Sequence, residues 1–536
     1  MTTPRSLTGL GTLLRLALRR DRIRLPIWIV TIVGLVALVA VTLGDLYPTA
    51  VARRQLSTTV GANPALRALL GPVYGRARLG GLVSWRMSFA SLVLVPLMAI
   101  FAVVRHTRAE EEAGRLELLG STVMGRRAPL LAALLVSWGA ALLLGAGVIL
   151  TMLAVGSRLE GSLAMGAAFA LSGMVFASVA AVCAQLTANA RTASGAAILV
   201  LGVAFLVRSV GDAVDPRSWV TMASPLGWIV RMRVFGHVRW WLAGLALGVA
   251  VALAVVADLL TTRRDLEAGL LPPRPGAAEA AAWLRGPLGL AWRLHRVAVL
   301  WWIVGLFALG LMYGGVAESV GQLVRDTPQL QQAFQAIGGQ QALIDAFFAT
   351  TMTIAGYLTA GFMVHTVLRL RAEETSLRAD DVLATAVRRT PWALSHVGVA
   401  VGGGVLMLAA MGAGAGLAHG LRAGDVGHQL GRLVPAALGQ LPAVLVVAAF
   451  GLALVGLAPR FVGLVWGALV AFLVLGELGP FLRLDQWLLD TSPFLHLARL
   501  PGGEVTLLPL AALTAVAVGL GAAGLVGLRR RDIGRV

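Results

Sequence analysis

The sequence predicts an all-α polytopic membrane protein of about twelve spans, built as two pseudo-symmetric six-helix halves with both termini in the cytoplasm. Three observations carry that expectation. Of 536 residues, 58% are hydrophobic and only 13% charged, with a mean hydropathy of +0.82; a water-soluble chain of this length needs more polar surface. Apolar runs repeatedly reach the roughly 20 residues that cross about 30 Å of hydrocarbon. A charged island, Arg108 to Arg127 (RAEEEAGRLELLGSTVMGRR), also recurs as RAEETSLRADDVLATAVRR at Arg371 to Arg389, each time between two apolar runs.

Residues 1–25 read as an amphipathic interfacial helix. Leu7, Leu10, Leu14 and Leu18 recur at helical steps while Arg15, Arg19 and Arg22 line another face, which suits a helix lying on the inner membrane surface. The long basic start and the full-length apolar run after it do not fit a cleavable signal. The first half, 26–262, holds spans near 26–44, 83–104, 129–155, 163–188, 193–210 and 240–262. A link follows at 263–297, with an extended Pro-Pro-Arg-Pro stretch and a second interfacial helix from Ala277 on toward Arg296. The second half, 298–528, holds spans near 298–315, 346–368, 392–418, 434–458, 461–482 and 506–528, and 529–536 form a cytoplasmic tail. Glycines at 402–404 and 412–416 offer small faces for close helix packing.

The halves correspond in order. Arg22 and Trp28 match Arg296 and Trp302, Arg191 matches Arg460, and Ser224-Pro225 matches Ser492-Pro493. Arg263-Arg264-Asp265-Leu266 matches Arg530-Arg531-Asp532-Ile533. An even number of spans per half makes this a parallel duplication about an axis along the membrane normal.

Composition removes several functions. The net charge of +19 comes from arginines at the ends of apolar runs, where they set topology and meet anionic lipid rather than nucleic acid. Every basic residue is arginine, so the chain cannot form the lysine-dependent phosphate loop of an ATPase. If ATP drives this protein, ATP and Mg sit on another polypeptide, and this chain holds no cofactor of its own. Cys183, the single cysteine, lies in an apolar run and excludes an internal disulfide. No catalytic constellation and no metal motif stands out.

The islands are the candidate working parts. In the first, Glu110, Glu111, Glu112 and Glu117 alternate with Arg108 and Arg115, while Leu116 and Leu119 share a helical face and Glu110, Gly114 and Glu117 another. An apolar ridge with a charged flank suits a groove on a soluble partner. The stretch Glu111 to Leu119, EEAGRLELL, resembles the Glu-rich loop of ABC-2 type permeases. The whole chain, with RRDL before a Pro-rich link and RRRDIG at its end, is similar to the fused twelve-span permeases of actinobacterial antibiotic and multidrug exporters of the tetronasin-resistance type. That resemblance implies an ATP-driven exporter of hydrophobic or amphipathic drugs in the bacterial cytoplasmic membrane, with two copies of a separate ATPase subunit. It implies coupling contacts through Glu110, Glu111, Glu112, Gly114, Arg115, Leu116, Glu117 and Leu118. In the second loop, Glu373, Glu374, Arg378, Asp380 and Asp381 fill that role. This loop lacks the Gly-x-Leu-Glu core, so its contact should be weaker or differently shaped.

The same resemblance places the second and fifth spans of each half around a transport path. Those runs carry Met87, Phe89, Met98 and Phe205, then Met352, Tyr357, Phe362 and Phe472. Such residues suit a compliant apolar site, and suit helix packing or lipid contact equally well. Arg208 follows Arg191 by 208 − 191 = 17 residues and Glu477 follows Arg460 by 477 − 460 = 17, a rise of roughly 25 Å in each fifth span. The two charges are expected either to pair as an outer gate or to snorkel separately to the surface. The rival function, a proton-coupled multidrug transporter, calls for titratable acids at mid-membrane depth, where the spans carry almost none.

Overall fold

The computed structural model describes residues 4–532 apart from 63, 117–123, 215–217, 265–268, 272–278, 326–338, 483–484 and 505. The chain is 83% helical, with no strand among the described residues. Eleven helices there are long and apolar enough to cross a membrane. The expected eleventh span coincides with a helix whose apolar described stretch is shorter, Leu464–Gly476. Two compact units divide in the Pro-rich link, Met1–Gly276 and Ala277–Val536.

In the first unit α1 (Leu10–Asp21) leads into the first span, α2 (Arg24–Leu46). The break between them has a local cause. Pro26 has no N–H to offer the Arg22 carbonyl, and its ring crowds that carbonyl, which favours a break at this point. The α1 face that packs carries the buried Ala17 and Asp21 with Leu10 and Leu14 half-buried beside them, whereas Leu18 is 52% exposed. Arg15, Arg19 and Arg22 do lie on the exposed side.

The outer segment contributes α3 (Ala50–Ala62) and α4 (Pro64–Leu70). The second span is broken into α5 (Leu79–Arg86), a π-turn at Ala90–Leu94 and α6 (Val95–His106). The π-turn comes immediately before Pro96, which cannot donate to Leu92. After the short α7 (Arg108–Glu112) come α8 (Ala128–Ala154), α9 (Leu159–Leu186) and α10 (Ala190–Val214). Then follow α11 (Pro225–Arg231), capped by the Ser224 hydroxyl, and α12 (Trp240–Thr261). The centre of the unit is α9, 83% buried over its apolar window and packed on α6, α8, α10 and α12.

The second unit begins differently. Beyond a 3-10 turn at Ala282–Arg285, α13 runs unbroken from Pro287 to Arg325. The expected second interfacial helix is therefore the start of the span itself, because Leu300 stands where the first half has Pro26. Next come α14 (Gly339–Thr375), α15 (Arg378–Leu383) and α16 (Arg389–Ala423). The tenth span is split into α17 (Val426–Leu438), which contains Pro435, and α18 (Leu441–Leu457). α19 (Leu464–Leu482) and α20 (Leu507–Arg530) complete the unit. Contact between α13 and α16 depends on bare backbone. A Cβ on Gly414 would lie 2.3 Å from the Phe307 carbonyl oxygen, and one on Gly310 2.3 Å from that of Met411, so glycine is what lets the two helices touch.

Candidate functional site

The two islands sit at the ends of α6 and α14, and in both the second glutamate of Arg-Ala-Glu-Glu points inward. Glu111, 4% exposed, accepts from Arg108 Nη1 at 3.1 Å and from Arg264 Nη1 and Nη2 at 2.7 and 3.1 Å. Arg264 also donates to Gln185 Oε1 at 2.6 Å, and the buried Arg108 reaches the Ala184 carbonyl at the end of α9. Arg126, at the far end of the island, donates to the carbonyl of Arg264. In the second unit Glu374, 2% exposed, accepts from Arg371 Nη1 at 3.1 Å and from Arg531, while Arg389 donates to the carbonyls of Arg531 at 2.7 Å and Arg529 at 3.3 Å.

Arg108–Glu111–Arg264 and Arg371–Glu374–Arg531 are thus the same device built twice. Each ties the island to the segment that leaves the sixth span of its half. Helical spacing explains the short side: Arg and Glu at i and i+3 are neighbours on a helix. The long side is tertiary. A carboxylate buried this deeply is tolerable only with charged donors on both oxygens.

Around this shared core the surroundings differ. Glu110 accepts from Arg115 Nε at 2.8 Å and Nη2 at 3.0 Å, and pairs with Arg20 of α1. Its hydrogen bonds raise Arg115 above the usual guanidinium range. Asp21 meets Arg105 Nη1 at 2.8 Å and shares a buried hydrogen bond with His106. Burial alone would push the Asp21 carboxyl up; the His106 hydrogen bond and the charges of His106, Arg105 and Arg24 prevail and hold it below its ordinary range. Glu373 instead accepts from Arg369 Nε at 3.1 Å and faces His396 Nε2 at 3.6 Å, with His295 Nε2 3.2 Å from His396 Nδ1.

Of the expected coupling residues, then, Glu110, Glu111, Glu373 and Glu374 are buried inside their own units. Their oxygens are already engaged by arginines of the same chain and, at Glu373, by His396 as well. Glu112 and Arg115 are exposed, although Glu112 also accepts the Ala190 N–H at 2.7 Å. Gly114 adopts a left-handed φ of 66° and turns the chain after α7. Leu116 is half-buried, and Glu117 and Leu118 fall outside the described residues. In the second loop Arg378, Asp380 and Asp381 are exposed. Asp21, Arg264, His295, His396 and Arg531 escaped the sequence reading as site residues. Only the repeated RRD endings signalled any of them.

The transport-path candidates are mostly packed. Met87, Met98, Met352 and Phe362 are buried in the cores of their units, and Tyr357 donates to the Phe472 carbonyl at 3.3 Å. Phe89 is exposed, and Phe205 and Phe472 are half-buried. Arg296 is exposed on α13. Arg208, fully buried, is engaged within its own unit. It donates to Asp212 Oδ2 at 3.3 Å and to the carbonyls of Ala68 and Leu69 at 2.7 and 2.9 Å, capping α4. Asp212 also accepts from the Thr221 hydroxyl at 3.0 Å. The Glu477 side chain, expected opposite Arg208, lies outside the described residues.

Comparison with known proteins follows the same two-part layout. The chain matches the family model described as multidrug efflux system permease Rv1217c, C-terminal domain, over residues 10–260 and 284–529. It is 43% identical over 528 residues to the multidrug efflux system permease protein Rv1217c of Mycobacterium tuberculosis (strain ATCC 25618 / H37Rv), covering 98% of this chain and 95% of the relative.

Proposed function

The chain belongs to the multidrug efflux permease family, and on that premise we propose that it is the membrane permease of an ATP-driven exporter. Its cargo is hydrophobic or amphipathic small molecules, its site the cytoplasmic membrane, and its motor two copies of a separate ATP-binding subunit that holds ATP and Mg. The observation that carries this reading is the double Arg–Glu–Arg core beneath two exposed tips. A tip that moves drags a buried ion cluster, and the cluster is bonded to the segment leaving the sixth span. Charged groups fixed in a low-dielectric site resist deformation, so displacement of the tip passes to the spans rather than being lost in a loose loop.

The tips themselves carry the specificity: Glu112 and Arg115 in the first half, Arg378, Asp380 and Asp381 in the second. ATP-driven approach of the two motors would move both tips and shift the halves between inward-open and outward-open states. The test is reconstitution of the full chain with its ATPase. Drug-stimulated hydrolysis and transport are expected to fall together when Glu112→Arg and Arg115→Glu are combined, with assembly of the two subunits weakened. Transport that persists without any nucleotide-hydrolysing partner, driven by a proton gradient, would overturn this reading in favour of secondary transport.

A further inference from the structure

The second unit carries a basic cleft at α16 and α20 and, further along the same two helices, an apolar crevice that α14 and α18 also line. From them we infer that α16 and α20 hold an anionic diacyl phospholipid in the leaflet next to the second island. The cleft, about 840 Å³, lies where α16 begins and α20 ends, and Arg388, Arg389 and Arg529 line it beside Leu383 and Pro391. Asp380 also lines it, but among the described residues no carboxylate is ion-paired with these three arginines. Deeper along the same helices is a crevice of about 150 Å³ with an almost wholly apolar lining, to which Val397 and Val401 of α16 and Val518 and Gly521 of α20 contribute.

The two cavities share a face. At 3.6 residues per turn Thr390 aligns with Val397 and Val401, and Arg529 aligns with Val518, with Gly521 about 80° round the helix. The exposed Leu394 and the half-buried Leu525 fall between them. From Thr390 to Val401 the rise is roughly 16 Å, and from Arg529 to Val518 also roughly 16 Å, which is the reach of an acyl chain below its headgroup. A phosphodiester therefore meets the arginines while a tail follows the leucines into the crevice.

The first half shows why this site belongs to the second alone. There Arg127 is neutralised by Asp258, with Nη1 3.3 Å from Oδ2. By the register that matches Arg264 to Arg531, Asp258 corresponds to Leu525 and Thr262 to Arg529. Arg126 and Arg389 donate to the matching Arg264 and Arg531 carbonyls, so Arg127 corresponds to Thr390. The second half has lost the ion pair and gained Arg388 and Arg529, which leaves its cleft with arginines free to meet an anion from outside the chain. A phospholipid headgroup next to paired arginines supplies that charge.

The full chain, purified in detergent, would be titrated with phosphatidylglycerol, phosphatidylcholine and glycerol phosphate. Retained lipid is read by native mass spectrometry and stabilisation by the shift in unfolding temperature. Phosphatidylglycerol is expected to bind at least about tenfold tighter than phosphatidylcholine. Leu525→Asp, which restores the first half's acid while keeping every arginine, is expected to remove that preference, as is Arg388→Ala with Arg529→Thr. Val401→Trp should weaken both lipids by closing the crevice. Equal binding of the two lipids would overturn the site, as would an unchanged preference in Leu525→Asp protein that elutes and unfolds like the parent. Glycerol phosphate binding as tightly as the lipid would show a soluble-anion site without the tail. Loss of ATPase association in the arginine variant with lipid binding intact would assign the cleft to an acidic protein segment.

Discussion

The two islands start from the same four residues and end in different surroundings. In the first half, Glu110 is reached by Arg20 from α1, a helix detached from its span by Pro26, and Asp21 locks that helix to His106 and Arg105. In the second, Glu373 is reached by Arg369 from its own helix and by His396, with His295 on the unbroken α13. Beneath both lies an Arg–Glu–Arg core, closed by two bonds from Arg264 in the first half and by one from Arg531 in the second. The part under the heaviest physical constraint is the buried triad, since either base left without its acid is a stranded charge. The approach to it can vary, because several donors satisfy the outer carboxylate.

The largest effects should therefore come from the triads, and both halves should show them. Glu111→Ala and Glu374→Ala each strand two arginines in buried or half-buried positions, a cost of about 3–5 kcal/mol, visible as a large drop in unfolding temperature in detergent. A severe loss at one and none at the other would break the equivalence on which the comparison rests.

Next in size are changes that move one half toward the other. Asp21→Asn keeps the shape but removes the charge facing Arg105 and His106, and should cost about 1.5–3 kcal/mol, read as faster amide exchange in α1 with α13 unaffected. The pH dependence follows the same sign. The Asp21 carboxyl lies below its ordinary value in the folded chain, so its contribution is complete above about pH 4 and is lost as pH falls through the lower folded value. Exchange protection of α1 should collapse in that acid range while Asp21→Asn protein shows no such step. Pro26→Leu is expected to fuse α1 to α2, as Leu300 permits in α13, and to weaken the Arg20–Glu110 contact. A cysteine pair reporting the α1–α8 distance would show whether α1 leaves its seat.

The smallest stability effects belong to the tips. Arg378→Glu changes an exposed residue and should move stability by no more than about 0.5 kcal/mol, while reducing ATPase stimulation through the second loop. Arg115→Glu removes both hydrogen bonds to Glu110 as well as tip charge, so its stability cost should exceed that of Arg378→Glu. Equal costs would mean that the first loop's outer shell is as loose as the second's.

Much of this was legible in the chain itself. The spans could be read because apolar length against a fixed membrane thickness is a one-dimensional property, and the duplication because matched landmarks keep their order. The importance of Arg-Ala-Glu-Glu was visible, but its direction was not. Four acids written between arginines look like a solvated face, and nothing local says that Glu111 and Glu374 turn inward. Their partners Arg264 and Arg531 lie 264 − 111 = 153 and 531 − 374 = 157 residues away, beyond any helical periodicity. The methionines and aromatics of the second and fifth spans posed the same difficulty, since a path and a core use the same side chains.

By itself, then, the sequence determined that this is a duplicated, all-helical membrane chain with no lysine for an ATP site and two charged islands at matching places. Tertiary structure alone decided which charges face out. It joined each island to the distant end of its own half and left Arg388, Arg389 and Arg529 without an acid where the first half has Asp258. The physical reason is that hydrophobic length is summed along the chain, whereas the energy of a charge depends on whichever neighbours folding brings within a few ångströms.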